Sequence, residues 1–364
     1  MAVFTIDDLP KPPESRTGFP WTAAGETPKT ATVPNAHLPK ISIITPSFNQ
    51  GIYIEETIRS VLLQGYPNLE FIVMDGGSTD ETVEILKKYD EFITFWASKP
   101  DEGQSDAINQ GIERATGDIF NWINSDDLLA PNALHELAAV FQKNPDAQAV
   151  CGHYLFIGTG IPSAEPQRLL MFPSVEKTLT LGGMSQPSLF WRLDTIKQLK
   201  GVNQKLHYTM DWELWHRFFL NIPQPKVVLT AAILAHFRWH DSSKSVSAAP
   251  RFHSEQLGLF SFMLSKMSKK ISGVAALINQ QIPPQYLAEN EQKYAALPWQ
   301  FTQINPKKYA AYALEYVADV LSHTLEWRIF WRFFAQSLRF LPFGRGRFYA
   351  LPFLVLRRKY VLKK

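Results

Sequence analysis

Two aspartates, Asp126 and Asp127, stand side by side where the apolar run of NWINSDDLL ends. Adjacent carboxylates repel, and one tends to stay protonated unless a cation lies beside them. A divalent ion bound to oxygen ligands removes the conflict, and Mg²⁺ or Mn²⁺ usually keeps positions open for phosphate oxygens. Asp126 and Asp127 are therefore candidates to hold a metal–diphosphate. The pair also suits a helix cap, since Pro131 announces a helix nearby. Asp75 precedes Gly76 and Gly77, where the backbone can turn sharply. Its carboxylate can accept hydrogen bonds from a base or ribose, or simply fix the turn. Asp101, after Pro100, is of the same kind. Asp211 opens the aromatic stretch DWELWHR. It suits a first-turn carboxylate interacting with its helix dipole.

Regular elements must hold these acids in place. ISIITPSFN is a short β-branched run ending at Pro46, and Ile54, Ile58, Val61 and Leu62 then recur at helical spacing. LEFIVMDGGSTD predicts a strand ending in Asp75, with Ser78 or Thr79 capping a helix through ETVEILKKY. ITFWASKPDEGQ predicts a third strand and loop, and SDAINQGIERA a helix stopped at Gly117. IFNWIN is the fourth strand, and PNALHELAAVFQKN the next helix. This alternation predicts an α/β fold with a mostly parallel sheet flanked by helices. Ligands of such sheets bind beyond the carboxyl ends of the strands. The polar clusters 45–49, 75–80, 100–106 and 124–127 all fall there. Beyond residue 150 the alternation loosens. AVCGHYLFIG reads as a strand, SQPSLFWRL as a strand near a polar edge, and KVVLTAAILAHFRWH as a strand running into HDSSKSVS. From Pro250 onward mostly helices are expected.

With 364 residues and 45% hydrophobic content, the chain can bury a full core and an appendage. A net charge of +3 without a binding motif gives no case for nucleic acid. The single cysteine, Cys151, excludes an intrachain disulfide and a cysteine zinc cage, and fits a reducing cytosol. The start MAVFTIDDLPKPPES lacks the features of a signal peptide, and no eighteen-residue apolar run predicts a membrane span. Residues 1–39 form a Pro-rich arm, in which GFPW would anchor through two aromatic rings. Residues 325–364 interleave Arg and Lys with Trp, Phe and Leu. That pattern suits an anionic lipid surface, or helices that pack their aromatic faces and leave the cations solvated.

The ordered series ITPSFNQGIYIEETIRSVLLQGYPNLEFIVMDGGSTDETVEIL and KPDEGQSDAINQGIERATGDIFNWINSDD resembles the family 2 glycosyltransferases of the GT-A fold. The resemblance is fullest over residues 40–132, weakens to His240, and is absent from the C-terminal third. It implies transfer of a sugar from a nucleoside diphosphate, with a UDP-sugar as expected donor. The acceptor would be a hydroxyl on a glycan or lipid-linked molecule of the cell envelope or an extracellular polysaccharide. Transfer would proceed by single displacement with inversion, using Mg²⁺ or Mn²⁺. Thr45 and Pro46 match the strand end that lies against the base, and Asp75 and Asp101 the base-contacting acids. The family's Asp-any-Asp metal motif reads Asn124-Ser125-Asp126-Asp127 here, so its first acid is an amide. Asp126 and Asp127 then serve the metal, with Asp126 also against the donor diphosphate. Asp211 matches the general base, although Met210 replaces the Glu that precedes it. In FRWHDSSKS, His240 would offer imidazole to the metal while Arg238 and Lys244 neutralise phosphate. Gln186 matches a polar residue near the acceptor. The implied division is an arm over 1–39, a GT-A domain over 40–246 and a helical, basic–aromatic extension over 247–364. The enzyme is expected in the cytoplasm, touching the inner membrane face through 325–364. Two rivals share these features. A nucleotidyltransferase would begin with a Gly-rich, basic phosphate loop, which TPSFNQG is not. A non-catalytic sugar-nucleotide-binding scaffold would fit the replacements at 124 and 210, but not the retained acids.

Overall fold

The computed structural model describes residues 3–23, 38–183, 186–287, 290–323 and 327–337. The chain divides into two units. The first comprises Met1–Leu169, Met184–Leu214 and Gln224–Ala248, and the second Leu170–Gly183, Trp215–Pro223 and Ala249–Lys364.

One sheet organises the first unit. Its strands are β1 (Ile41–Ser47), β2 (Leu69–Asp75), β3 (Phe95–Ser98), β4 (Ile119–Trp122), β5 (Leu128–Leu129), β6 (Ala149–Gly158), β7 (Leu189–Arg192) and β8 (Val227–Trp239). They lie in the order β3-β2-β1-β4-β7-β6-β8-β5. The first four are parallel, as the alternation predicts. β1 and β2 are buried along their whole length, so neither presents a solvated face, and the polar Ser42 and Glu70 within them bond to each other. Helices α1 (Gly51–Leu62), α2 (Thr82–Lys88), α3 (Gln104–Arg114) and α4 (Ala133–Lys143) fill the connections. Ile54, Ile58, Val61 and Leu62 of α1 are buried with Ile43, Phe71, Val73 and Leu137 in one core. Gly117 lies beyond the end of α3, where a Cβ would come 2.5 Å from Ser42 Oγ; its role is close approach of two backbones.

The other half of the sheet is mixed. β7 runs antiparallel to both β4 and β6, β6 is parallel to β8, and β5 is antiparallel to β8. β7 is therefore an interior strand, not one near a polar edge, and Leu189, Phe190 and Trp191 are buried. Three apolar residues between polar neighbours look like an edge in sequence; pairing on both sides is what buries them. α6 (Leu193–Gln198) follows β7, and α8 (Lys244–Ser247) follows β8.

The arm is anchored on α1. Trp21 is 5% exposed, and Arg59 has no exposure at all. Arg59 donates Nε to Pro20 O (2.9 Å), Nη1 to Pro10 O (2.8 Å) and to Tyr89 Oη (3.0 Å), and Nη2 to Trp21 O (3.0 Å). Its guanidinium also lies 5.4 Å from the Trp21 ring centroid. Phe4 meets Phe92 edge-on at 5.2 Å. GFPW thus anchors through one buried ring, Trp21, and through carbonyls offered to a cation. Residues 24–37 of the arm lie outside the described residues.

The second unit is helical: α5 (Val175–Leu181), α9 (Ala249–Met267), α10 (Ser272–Asn279), α11 (Pro284–Leu287), α12 (Asn290–Ala295), α13 (Pro306–His323) and α14 (Trp327–Ser337). α13 packs against α5, α9 and α14. α7 (Met210–Asn221) gives its first turn to the first unit and the rest to the second. On α14, Phe330 and Phe333 are buried while Trp331 is 40% exposed. Residues 338–364, most of the basic–aromatic tail, lie outside the described residues. Among the described residues no helix is long and apolar enough to cross a membrane.

Candidate active site

The loops after β1 and β2 are stitched to each other. Asn49 donates its N–H to Ser78 Oγ (2.7 Å) and accepts the Thr79 N–H on Oδ1 (2.9 Å). Gln50 N donates to Thr82 Oγ1 (3.0 Å) and Gly51 N to Asp80 Oδ2 (2.8 Å), so side chains of the second loop satisfy free N–H groups at the start of α1. The cap expected from Ser78 or Thr79 falls to Asp80, whose Oδ1 accepts the Thr82 N–H (3.0 Å). Ser78 is committed elsewhere, because its hydroxyl donates to Asp75 Oδ1 (2.5 Å). Asp75 is 2% exposed, and its Oδ2 accepts from Ser78 N (2.9 Å), Gly77 N (3.2 Å) and Ser98 Oγ (2.6 Å). Its first task is to hold the turn together.

Asp101 lies across Gly76 from Asp75. Its Oδ1 accepts the Gly103 N–H (2.8 Å), and its Oδ2 would stand 3.0 Å from a Cβ at residue 76, so a side chain there would press on that carboxylate. Burial pushes the Asp101 carboxyl above its ordinary range, and the charges of Asp106 and Asp75 add to this. On β1, Thr45 and Pro46 sit opposite Val73 and Met74, and Ser47 opposite Asp75. The hydroxyls of Thr45 and Ser47 are buried with no hydrogen-bond partner among the described residues. Such groups are costly without a partner, which marks this strand end as a place for a ligand.

Asp126 and Asp127 have different surroundings. Asp127 is 1% exposed; its Oδ1 accepts the Arg238 N–H (2.8 Å) and its Oδ2 the Asn124 Nδ2–H (3.1 Å). Burial pushes its carboxyl well up, and the charge of Asp126 pushes the same way. Asp126 stays partly open, with Oδ2 3.0 Å from His240 Nε2. The other imidazole nitrogen, Nδ1, lies 2.8 Å from Ser242 Oγ, and the ring centroid is 4.9 Å from that of Tyr53. β8 delivers this partner: it pairs with β5 directly after the acids, Leu128 opposite His236 and Leu129 opposite Ala235.

Arg238 is largely used by the protein itself. Its Nε donates to Asp126 O (2.8 Å), and its Nη2 lies 3.0 Å from Glu56 Oε2, off the hydrogen-bond direction. Its guanidinium is 5.1 Å from the Tyr53 ring centroid. Lys244 Nζ donates to Gln104 Oε1 (2.8 Å) and, more weakly, to His207 O (3.4 Å). Gln104 Nε2 donates in turn to Asn124 Oδ1 (2.8 Å). Ser105 Oγ donates to Leu206 O (2.9 Å), which ties the start of α3 to the segment leading into α7. There Asp211 is half-buried, and its Oδ1 accepts the Trp212 N–H (2.8 Å). Gln186 Nε2 donates to Trp122 O (2.7 Å), at the end of β4.

The structure thus brings Asp126, Asp127, Arg238 and His240 into direct contact and joins Lys244 to them through Gln104 and Asn124. Glu56, Tyr53 and Gln104 were not read from the sequence. Tyr53 and Glu56 are three residues apart, on one face of the helix that opens just beyond β1, and that spacing is the signal that points to them. A carboxylate and an imidazole side by side suit a divalent ion that takes its remaining ligands from phosphate and water. Among the described residues no three His, Cys, Asp or Glu side chains converge as a ligand set, so an ion here would depend on its substrate for further ligands.

The family model for glycosyl transferase family 2 matches residues 42–194. The chain carries a family 2 glycosyltransferase domain. The matched segment runs from β1 to the start of α6, while Asp211, Arg238, His240 and Lys244 come from beyond it. This glycosyltransferase is 29% identical over 248 residues to an uncharacterized glycosyltransferase of Rickettsia typhi, a match covering 65% of this chain and 75% of that one. It is 35% identical over 127 residues to the Bacillus subtilis protein TuaG, named for teichuronic acid biosynthesis, covering 34% of this chain and 50% of TuaG. Among solved structures, S. aureus TarS 1-349 in complex with UDP is similar, with a TM-score of 0.49 at 18% identity, covering 80% of this chain and 82% of that one.

Proposed function

We propose that this glycosyltransferase moves a sugar from a nucleoside-diphosphate sugar, a UDP-sugar, to a hydroxyl of a glycan or lipid-linked acceptor in polysaccharide synthesis, with inversion at the anomeric carbon. The observation that carries this is the contact of Asp126 with His240 at the carboxyl edge of the sheet, 3.0 Å apart and partly open. These two residues would hold Mg²⁺ or Mn²⁺. When bound, such an ion neutralises charge on a leaving diphosphate. Asp127 stands behind Asp126 and keeps its loop in place. Arg238, already paired with Glu56, does the same from the side, which leaves Lys244 as the cation for the diphosphate. Thr45, Pro46, Asp75 and Asp101 line the nucleoside, with the buried hydroxyls of Thr45 and Ser47 supplying hydrogen-bond capacity. Asp101 Oδ2, which lies over Gly76, would accept an N–H of the base.

In the displacement, the acceptor oxygen bonds to the anomeric carbon as the bond from that carbon to the diphosphate oxygen breaks. The electron pair of the broken bond leaves with the diphosphate, and the acceptor's proton passes to Asp211. The naming of TuaG supports a polysaccharide role. A cytoplasmic enzyme touching the inner membrane face belongs to the same proposal, supported by exposed Trp331 beside exposed Arg332 on α14.

Calorimetry with UDP, GDP and dTDP, each with and without Mn²⁺, tests the donor site: UDP binding strengthened by Mn²⁺ is expected. Asp211→Asn should abolish turnover and spare UDP binding. Normal turnover in that variant removes Asp211 from the mechanism, and wild-type binding of a donor without any transfer would favour the non-catalytic scaffold.

A further inference from the structure

Asn124 stands where the family pattern has its first acid. An amide in place of a carboxylate is a weaker oxygen ligand, but the hydrogen bonds around Asn124 give it a different task. Its Nδ2 donates to Asp127 Oδ2 (3.1 Å), while its Oδ1 accepts from Gln104 Nε2 (2.8 Å). Gln104 Oε1 accepts in turn from Lys244 Nζ (2.8 Å), and the far oxygen of Asp127 accepts the Arg238 N–H (2.8 Å). Every link from Lys244 to Asp127 runs donor to acceptor in one direction. Only a side chain with both a donor and an acceptor can occupy the position of Asn124 in that series. An ionised carboxylate there could accept from Gln104 but would present a second like charge to a buried one.

We propose that Asn124 is a positioning residue: its amide, oriented by Gln104 and Lys244, commits the Asp127 carboxylate to the protein and leaves Asp126 as the acid that holds the cation with His240. The cation half of this rests on the proposed function above; the commitment of Asp127 does not. The replaced acid is then an adaptation that divides two adjacent carboxylates between two tasks. Asp127 braces the β5–β8 junction through the Arg238 backbone, and Asp126 faces the site.

The test is an exchange of the two residues. Asn124→Asp restores the family's acid, and without any cation its melting temperature should fall by about 5–10 °C, as a buried pair of like charges requires. Its Mn²⁺ affinity, read by electron paramagnetic resonance titration, should fall at least tenfold. The double variant N124D/D127N restores the complement. The new amide at position 127 can donate to the new carboxylate at position 124 while its oxygen still accepts the Arg238 N–H, and Gln104 still finds an acceptor. The double variant should melt within a few degrees of the wild type and regain most of the Mn²⁺ affinity. If N124D melts like the wild type and binds Mn²⁺ more tightly, Asn124 is an ordinary weak ligand and the proposal is overturned. A double variant no more stable than N124D overturns it as well. Should N124D fail to fold, the melting of the double variant decides alone. Asp126→Asn separates the two levels: undiminished Mn²⁺ binding in that variant would end the cation assignment, while recovery of melting temperature in the exchange pair would still establish the role of Asn124.

Discussion

Replacing Arg59 by methionine should cost the first unit about 3–5 kcal/mol, the range for removing one partner from a buried charged contact. The figure follows from what the guanidinium does. It has no exposure, donates to three backbone carbonyls of the arm and to the Tyr89 hydroxyl at 2.8–3.0 Å, and faces the Trp21 ring. Hydrogen bonds from a charged donor contribute about 1.5–3 kcal/mol each; methionine keeps the apolar stem and removes all four, and the released carbonyls recover part of that loss by bonding to water. Pro10, Pro20 and Trp21 would then have to turn their carbonyls to water, which means detaching the arm. A matched control is Lys226→Met: Lys226 pairs with Asp146 at 2.6 Å, but the side chains are 43% and 69% exposed, and such pairs contribute about 0–1 kcal/mol. Urea unfolding followed by tryptophan fluorescence gives the difference, and limited proteolysis reports whether residues 3–23 come free. A loss in R59M no greater than in K226M, with the arm still protected, would show that the arm is held by its own apolar contacts and refute the clamp.

Glu70 should govern part of the acid sensitivity. Burial alone would raise its carboxyl, but Lys40, Ser42 and the side chain and N–H of Thr116 together bring it from 4.5 to about 2. A depressed carboxyl contributes stability above its unfolded value and loses it as pH falls through the folded one. Between pH 4.5 and 2 the protein should therefore lose about 3 kcal/mol at this site, and Glu70→Gln should flatten the curve of stability against pH in that window. An unchanged curve in E70Q would assign the acid sensitivity elsewhere. Glu56→Gln removes the charge facing Arg238, where both side chains are 13% exposed. A stability loss of about 1–3 kcal/mol, with weaker Mn²⁺ binding, is expected from melting and titration; Mn²⁺ binding unaltered in E56Q would separate Arg238 from the acid loop.

Half of the sheet could be read directly from the chain because its elements are local. Each strand from β1 to β4 is a short apolar run followed by a helix of regular spacing, and buried parallel strands carry that pattern openly. β7 and β8 could not be placed in the same way, since which neighbours they pair with depends on contacts between residues far apart in sequence. The acids were legible as types, and their division of labour was not. Asp126 and Asp127 look alike in sequence, yet one meets an imidazole and the other a backbone N–H and an amide, all supplied by partners folded onto them. Ser78 shows the same limit at smaller scale: a serine ahead of a helix suggests a cap, and the hydroxyl instead serves Asp75 and Asn49.

The junction of β5 with β8 has a temporal meaning. Asp126 and His240 are 114 positions apart, so at a synthesis rate of about 5–20 residues per second roughly 6–23 s separate their emergence from the ribosome. During that interval the acids are present without their imidazole partner. The contact between acid and imidazole forms only when the last strand is laid beside the fifth.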